Sequence, residues 1–395
     1  MTATHAMPPP PPSFQLPKTS AGCQSLPSGS TALSTAADDS SDSSSRIPNA
    51  TPTTATVANN PATGPRKSTT RADFEKIATL GVGGFARVEL VRQVASEEGN
   101  NNASSSSPFG NFFALKVLNK AHVVATKQQA HVVSERQILL GCSHPFIVKL
   151  YRTFKDDEKV YLLMEPCLGG ELYHYLQQRK RFDQPTAAFY TACAVQALDY
   201  LHSHGIIYRD LKPENMLLGA DGYPKLVDFG FSKHLEDGER TRTFCGTAEY
   251  VAPEIVLRSG HDRAVDLWAL GIFLYELLTG SPPLVCSDPV LIYKAVLRGL
   301  GHLLWPRNLS ADSISLIRAL TQLKPEDRLG YDHVDNLRQH PFFDSICWTA
   351  IDERTARPPL VPLLEGPADP SNFERFPSFD RFTLGADESG WDADF

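Results

Sequence analysis

Asp210, Lys212 and Asn215 stand close together in IIYRDLKPENM (206–216), and Pro213 among them interrupts any helix, so they share a loop. An aspartate can accept or orient a hydroxyl proton, a lysine can neutralise a moving phosphoryl group, and an asparagine can ligate Mg2+. Thirteen residues beyond Asn215, DFG places Asp228 just after the apolar Leu226 and Val227 of a short strand. Two oxygen ligands on adjacent turns suit a Mg2+ ion that stays partly hydrated and bridges to substrate phosphates. Upstream lies GVGGFA (81–86). A dinucleotide fold needs a helix after such glycines, whereas here the chain continues as strand, ARVELV. That order favours a glycine flap closing over phosphates through its backbone N–H groups; a plain glycine hairpin is the other reading of this turn alone. Lys116, flanked by Leu115 and Val117 in FALK, is then a candidate to grip α- and β-phosphates. Singly, each of these is an ordinary loop or strand residue. Their order along the chain points to phosphoryl transfer.

Positioning these groups requires two kinds of structure. Residues 74–93 read as strand, glycine turn, strand, with Ala86, Val88 and Leu90 at the period of a half-buried strand. The polar stretch 95–111 belongs at a hairpin tip, and 112–118 returns as a third strand. Between 127 and 140, Val132, Val133, Ile138 and Leu139 fit one side of a helix; strand-like runs follow at 147–153 and 160–165. From Glu171 onward the pattern is helical: 186–203, with Phe189, Ala192, Val195, Leu198 and Leu201 in register, then 265–279, 289–299 and 312–322. Strands followed by helices predict an α+β fold in two lobes, a small antiparallel β lobe with one main helix and a larger, mainly helical lobe, with a cleft between them.

Composition limits the alternatives. The 395 residues are 42% hydrophobic and 21% charged, enough for a sizeable core. Residues 1–70 hold eleven of the thirty prolines and only seven charged side chains among Ser, Thr and Ala tracts, so they are expected to be disordered. The net charge of −7 resides in residues 344–395, which carry eleven acids and four arginines. The rest of the chain sums to zero, which gives no basic excess for nucleic acid. No apolar run approaches the ~20 residues of a membrane span. MTATHAMPPPPP lacks the features of a secretory signal, and neither Thr2 nor the terminal DADF fits a lipidation motif. Seven cysteines without CxxC spacing point to free thiols in a reducing compartment, cytoplasmic or nuclear, rather than to zinc or disulfides.

With the glycine flap, FALK, YRDLKPEN, DFG and APE (252–254) in this order, the sequence resembles the protein kinase family over 74–395, with a kinase domain at 74–343 and a C-terminal tail at 344–395. YRD, TFCGTAEYVAPE, KPEDRLG and SNFERF resemble the AGC group. LGVGGFARVELV, PCLGGELY and SGWDADF are similar to the catalytic part of cyclic-GMP-dependent kinases, with the cyclic-AMP-dependent catalytic subunit as the near alternative. The resemblance implies a Ser/Thr kinase using ATP and Mg2+, with protein substrates. In it Leu80, Gly81, Val82, Gly83, Gly84, Phe85, Ala86, Arg87 and Val88 form the flap over ATP, and Lys116 pairs with Glu135. Met164 is the gatekeeper, Glu165 and Cys167 meet adenine, Glu171 reaches the ribose, and Phe373 closes the adenine pocket. Asp210 is the catalytic base, Lys212 its phosphate partner, and Asn215 with Asp228 holds the metal.

The same resemblance implies a Glu254–Arg328 ion pair, Asp266 steadying the catalytic loop, and a stack of Leu139, Leu150, Tyr208 and Phe229. Thr243 would be an activation-loop phosphosite facing Arg209, Lys233 and His131, modified by an upstream kinase or by autophosphorylation. Glu171, Glu214 and Glu276 match positions that select arginine before the phosphoacceptor; RKST places Arg66 three residues before Thr69, a candidate autophosphorylation site. Trp391 and Phe395 would dock beside the helix carrying Glu135. Three departures stand out: Ala86 for the third flap glycine, Ala248 for the proline of GTPEY, and Pro166 in the hinge. No FGE followed by an arginine phosphate-binding segment occurs, so direct activation by a cyclic nucleotide is not expected. A separate cyclic-nucleotide-binding regulatory subunit, control by Thr243 phosphorylation alone, or a truncated gene model are the alternatives. A pseudokinase scaffold that binds without phosphotransfer is the competing function.

Overall fold

Successive side chains of the strand FFALKVLN point to opposite sides, which gives the small lobe two distinct faces. The computed structural model describes residues 69–84, 86–94, 110–376, 387 and 389–395. Nearly all of the N-terminal tail, Phe85 and most of the 95–111 insertion lie outside the described residues. Strands β1 (Phe74–Val82), β2 (Ala86–Gln93), β3 (Phe112–Asn119), β4 (Leu150–Lys155) and β5 (Lys159–Met164) form one antiparallel sheet in the order β1-β2-β3-β5-β4. On β3, Phe113, Leu115 and Val117 join Phe74, Phe154 and Tyr161 in an outer cluster. Its rings stack at 5.7 Å (Phe74–Phe154) and 4.8 Å (Phe154–Tyr161), each pair worth ~0.5–1.5 kcal/mol beyond burial. Lys116, one residue out of phase, therefore lies on the opposite face, where Ala114 and Leu118 meet the main core.

A short helix α1 (Lys120–Ala125), capped by Asn119 accepting from the His122 amide at 2.9 Å, was not anticipated; it leads into α2 (Gln129–Gly141). The run beginning at Ile147 differs from expectation. Strand β4 starts only at Leu150, because Phe146 and Val148 use their main chains to bond Leu226 of the other lobe, at 2.8 and 3.0 Å. Buried apolar residues at 146–148 thus tie the lobes together instead of extending the sheet.

The large lobe contains α3 (Leu172–Arg179) and α4 (Gln184–Ser203), the latter capped by Asp183 accepting from the Thr186 amide at 3.0 Å with Pro185 in its first turn. Four short strands follow: β6 (Ile206–Ile207), β7 (Met216–Leu218), β8 (Pro224–Leu226) and β9 (Lys233–His234). Helices α5 (Pro253–Val256), α6 (Ala264–Thr279), α7 (Pro289–Val296), α8 (Ala311–Leu320), α9 (Val334–Arg338) and α10 (Trp348–Asp352) complete it. Every residue of α4 from Thr186 to Leu198, and almost every residue of α6, is buried, so these are central core helices rather than amphipathic surface ones.

After α10 the tail runs back over the body. At Gly222 (φ +86) a Cβ would lie 2.0 Å from the Leu360 carbonyl oxygen, and at Gly170 (φ +79) 2.8 Å from that of Asn372. Glycine supplies both the left-handed turn and the room for the tail at these points. The last residues reach the small lobe. Asp392 pairs with Lys120 at 2.7 Å and Lys155 at 3.3 Å, and Arg136 lies 5.3 Å over the Phe395 ring while bonding the Asp394 carbonyl. The docking expected of Trp391 and Phe395 beside α2 is present, with both rings half-buried against the core.

Candidate active site

Register places the phosphate-gripping candidates together. In the β2–β3 ladder Val88 lies opposite Lys116, so the strand leaving the glycine turn passes directly beside the lysine. Buried Glu135, one helix away on α2, receives both of its carboxylate contacts from Lys116 Nζ, at 2.6 and 2.8 Å. Asp228 approaches the same ammonium at 3.6 Å. Burial alone would lower the Lys116 pKa; the two carboxylates outweigh it and hold the lysine firmly protonated. The turn itself is closed by the Gly83 amide donating to the Ala86 carbonyl at 2.8 Å. Ala86 has no positive φ, and hypothetical Cβ atoms at Gly81 and Gly84 meet nothing within 4 Å. The alanine in place of a third glycine is therefore unstrained, and open space above the flap strands remains.

The loop between β6 and β7 is held from below. Asp266, at the start of α6 and wholly buried, accepts from the Arg209 amide at 2.7 Å and the Tyr208 amide at 2.9 Å, and lies 2.8 Å from His202 Nε2. Arg209 has φ +70, a left-handed conformation that costs a non-glycine residue ~1–2 kcal/mol and persists only when its surroundings fix it. The next residue, Asp210, is thereby presented to the cleft. One of its carboxylate oxygens takes Thr247 Oγ1 at 2.8 Å; the other takes Asn215 Nδ2 at 2.7 Å and pairs with Lys212 at 3.0 Å. Lys212 also donates to Thr247 Oγ1, at 2.8 Å. Burial pushes the Asp210 carboxyl up, against the pull of Lys212 and Thr247. Desolvation in the cleft likewise pushes Asp228 up, but Lys116, Lys212 and the Gly230 amide outweigh it and keep this carboxyl below the ordinary aspartate value. The result is one ionised carboxylate facing two cations, with a second carboxylate beside them in a hydrogen-bonded cage.

Asn215 and Asp228 offer only two hard oxygen ligands, and no group of three or more His, Cys, Asp or Glu side chains suited to a metal occurs among the described residues. That donor set fits Mg2+, which retains waters and takes its remaining oxygens from substrate phosphates, and does not suit a metal needing a full protein cage.

The protein kinase domain family matches residues 74–343. The chain belongs to the protein kinase family. Among relatives, cGMP-dependent protein kinase, isozyme 2 forms cD5/T2, of Drosophila melanogaster is 47% identical over 325 residues, 82% of this chain and 34% of that protein. Human cGMP-dependent protein kinase 2 is 48% identical over 326 residues, 82% and 41%, and the egl-4 cGMP-dependent protein kinase of Caenorhabditis elegans 46% over 329 residues, 82% and 40%. The chain thus spans about a third to two-fifths of the length of these relatives. Within the kinase family it is similar to the cyclic-GMP-dependent type of the AGC group, as the motifs implied.

Leu80 and Met164 are buried, Val88 is half-buried, and Gly81, Val82, Gly83, Gly84 and Arg87 line the flap strands and turn; Phe85 lies outside the described residues. Buried Glu165 uses its side chain elsewhere: Oε1 accepts from the Lys149 amide and pairs with Lys225, both at 2.8 Å. The adenine contact expected of Glu165 would then fall to its main chain. Cys167 is buried beside it. Asn372 Nδ2 donates to the Leu168 carbonyl at 3.1 Å, which brings half-buried Phe373 against the hinge.

Glu171, Glu214 and Glu276 form an acidic group: burial raises each carboxyl, with Glu214 adding to the shift of both Glu171 and Glu276, which rise to about 7. Glu214 Oε2 is buried without a hydrogen-bond partner, and Tyr250 donates to Glu276. On the activation segment Thr243 is exposed, its hydroxyl 3.4 Å from that of Thr241. Arg209 Nε donates to the Phe231 carbonyl at 2.6 Å, with His261 Nε2 3.4 Å from Nη1. Burial and then the Arg209 charge lower His131, while Lys233 pairs with Glu239 at 3.5 Å. Glu254 and Arg328 form the expected buried pair at 2.6 and 2.7 Å. Leu139, Leu150, Tyr208 and Phe229 are all buried, with the last two rings 5.2 Å apart.

Sequence reasoning missed Thr247. Its hydroxyl closes a triangle with Lys212 and Asp210 across more than thirty residues. Its place in GTAEY, beside the Ala248 departure, was the available signal, but nothing in local spacing shows which way a threonine hydroxyl turns.

Proposed function

We propose that this chain is a Ser/Thr protein kinase that transfers the γ-phosphoryl group of ATP to hydroxyls in arginine-containing protein sites. The observation that supports it best is the Asp210 cage: a buried carboxylate held by Asn215, Lys212 and Thr247, facing the Lys116–Asp228 pair across the cleft. Lys116 grips the α- and β-phosphates. Lys212 neutralises charge on the phosphoryl group in transit, and the Asp210 oxygen that accepts from Thr247 Oγ1 would accept the substrate hydroxyl in its place and orient it in line. The bond between the γ-phosphorus and the bridging oxygen breaks, the substrate oxygen bonds to phosphorus, its proton leaves by way of Asp210, and ADP departs. Asn215 and Asp228 would hold Mg2+, which supplies positive charge to the β- and γ-phosphates when bound.

The acidic group supports arginine selectivity. Carboxylates crowded together with an unpartnered buried oxygen are relieved by a guanidinium, which offers a planar fork of donors. Phosphate on Thr243 would bring ~1.5–2 negative charges to the Arg209, His131 and Lys233 region and fix the segment. An upstream kinase or the chain itself supplies that phosphate, and a separate cyclic-nucleotide-binding subunit is a candidate regulator in the cytoplasm or nucleus. The test is labelling of a serine peptide with and without its arginines, in the presence and absence of cyclic GMP, cyclic AMP and an added regulatory subunit. Labelling that needs the arginines supports the reading; equal labelling of an arginine-free peptide refutes the selectivity.

A further inference from the structure

Thr69 lies outside the site just described. Its hydroxyl accepts a hydrogen bond from Arg152 Nη1 at 3.0 Å, joining the approach to β1 with the edge strand β4. Its neighbour Thr70 is differently engaged: the Thr70 amide donates to Asp73 Oδ2 at 2.7 Å and its hydroxyl to the same oxygen at 3.2 Å. A phosphate on Thr70 would face that carboxylate, whereas a phosphate on Thr69 would face a guanidinium. In the sequence Arg66 and Lys67 precede Thr69 at the third and second positions.

From this pairing of a basic recognition stretch with a waiting arginine, we propose that Thr69 is a phosphorylation site of this kinase, one copy of the chain acting on another, and that Arg152 receives the phosphate. The proposal rests on the arginine-directed kinase reading above. Transfer between copies follows from the sheet. Phe74, five residues after Thr69, is locked in the outer cluster, on the face of β3 away from Lys116. Five residues span at most ~18 Å, and this tether starts on the face of the sheet turned away from the cleft, which opposes delivery of Thr69 to its own Asp210 and favours the cleft of a second copy. In the reaction the terminal phosphoryl bond of ATP breaks, Thr69 Oγ1 bonds to phosphorus, the hydroxyl proton goes to solvent through Asp210 of the acting copy, and ADP leaves. Phosphothreonine replaces one bond from the guanidinium to a neutral hydroxyl by an ion pair whose oxygens accept charge-assisted bonds from Arg152, fastening the chain before β1 onto β4. The same strand bears Thr153, which binds Arg136 of α2 at 3.0 Å, and Lys155, which holds Asp392. The mark would therefore stiffen the edge of the small lobe on which both α2 and the tail depend.

The experiment uses the full chain, dephosphorylated and then incubated with ATP and Mg2+ at two protein concentrations tenfold apart, with an arginine-containing serine peptide in the same tube. Phosphate on Thr69 is located by fragment-ion mass spectrometry. Peptide labelling, together with Thr69 labelling whose fractional rate rises with chain concentration and falls about tenfold in Arg66→Ala, is the expected result; loss of one charge-assisted contact has that size. Labelled peptide with bare Thr69 overturns the proposal and leaves the kinase reading standing. Absence of both overturns the two together, and a fractional rate independent of concentration overturns transfer between copies. For the receiver, phosphorylated wild type should melt above its unphosphorylated form and Arg152→Gln should erase that difference; a gain that survives in Arg152→Gln shows that Arg152 does not receive the phosphate.

Discussion

Replacing Asp266 by asparagine changes one atom and should disable the catalytic loop. Both carboxylate oxygens accept backbone donors, the amides of Arg209 and Tyr208 at 2.7 and 2.9 Å, in a wholly buried setting. Whichever way an asparagine amide turns, its NH2 group faces one of those N–H groups, leaving a buried donor unpaired. Losing one hydrogen bond to a charged acceptor and stranding its partner costs ~2–4 kcal/mol. Arg209 at φ +70 is released from the contact that holds it there, and Asp210 moves with it. If that energy is drawn from the positioning of Asp210, kcat falls by about 30- to 1,000-fold, at 1.36 kcal/mol per decade. In the proposed function ATP is held mainly by Lys116 and the flap of the other lobe, and on that reading KM for ATP should change little. Steady-state kinetics on a serine peptide, with melting recorded in parallel, reads both quantities. A variant that melts lower yet keeps wild-type kcat would refute the argument, because Asp266 would then support the fold without positioning the loop.

Glu254→Ala leaves the Arg328 guanidinium buried without its partner and should cost ~3–5 kcal/mol, which denaturant unfolding would show; a loss under ~1 kcal/mol contradicts the buried pair. Burial raises Glu171 and Glu276 to about 7, and on the proposed reading an arginine substrate would bind their ionised forms. KM for an arginine peptide should therefore fall as pH rises from 6 to 8, while a peptide lacking arginine shows no such trend; parallel profiles would remove the acidic group from recognition. Asp392→Asn removes the charge facing Lys120 and Lys155 and should free the C-terminal residues to limited proteolysis and lower activity severalfold. Although burial alone would raise Asp392, these lysines hold it below the usual carboxylate value. The latch therefore stabilises the fold at neutral pH and is lost only as pH falls through that depressed value; unchanged proteolysis in the variant would discount it.

Motif order made the candidate catalytic set legible because its members lie in short, contiguous strings whose residue types carry the chemistry. Asp210, Lys212, Asn215 and Asp228 come from two stretches less than twenty residues apart, and the strands and helices around them show their period plainly. What stayed hidden depends on chain closure over long separations. The Thr247 triangle, the Asp392 latch and the use of the Glu165 side chain on Lys225 join segments that no local pattern relates. Ile147 and Val148 illustrate a second limit. An apolar pair reads as strand, but here its main chain serves Leu226 of the other lobe. Helix α6 shows a third, since burial on nearly all sides leaves no stripe from which to infer a partner.

The central claim is that the Asp210 cage carries phosphoryl transfer. Its most direct test measures ATP binding and γ-phosphoryl transfer to an arginine-containing serine peptide in wild type and in Asp210→Ala, on the same protein preparations. The account predicts comparable ATP binding in both, with transfer present in wild type and lost in the variant. Transfer that survives in Asp210→Ala, or wild type that binds ATP and transfers nothing, would contradict it.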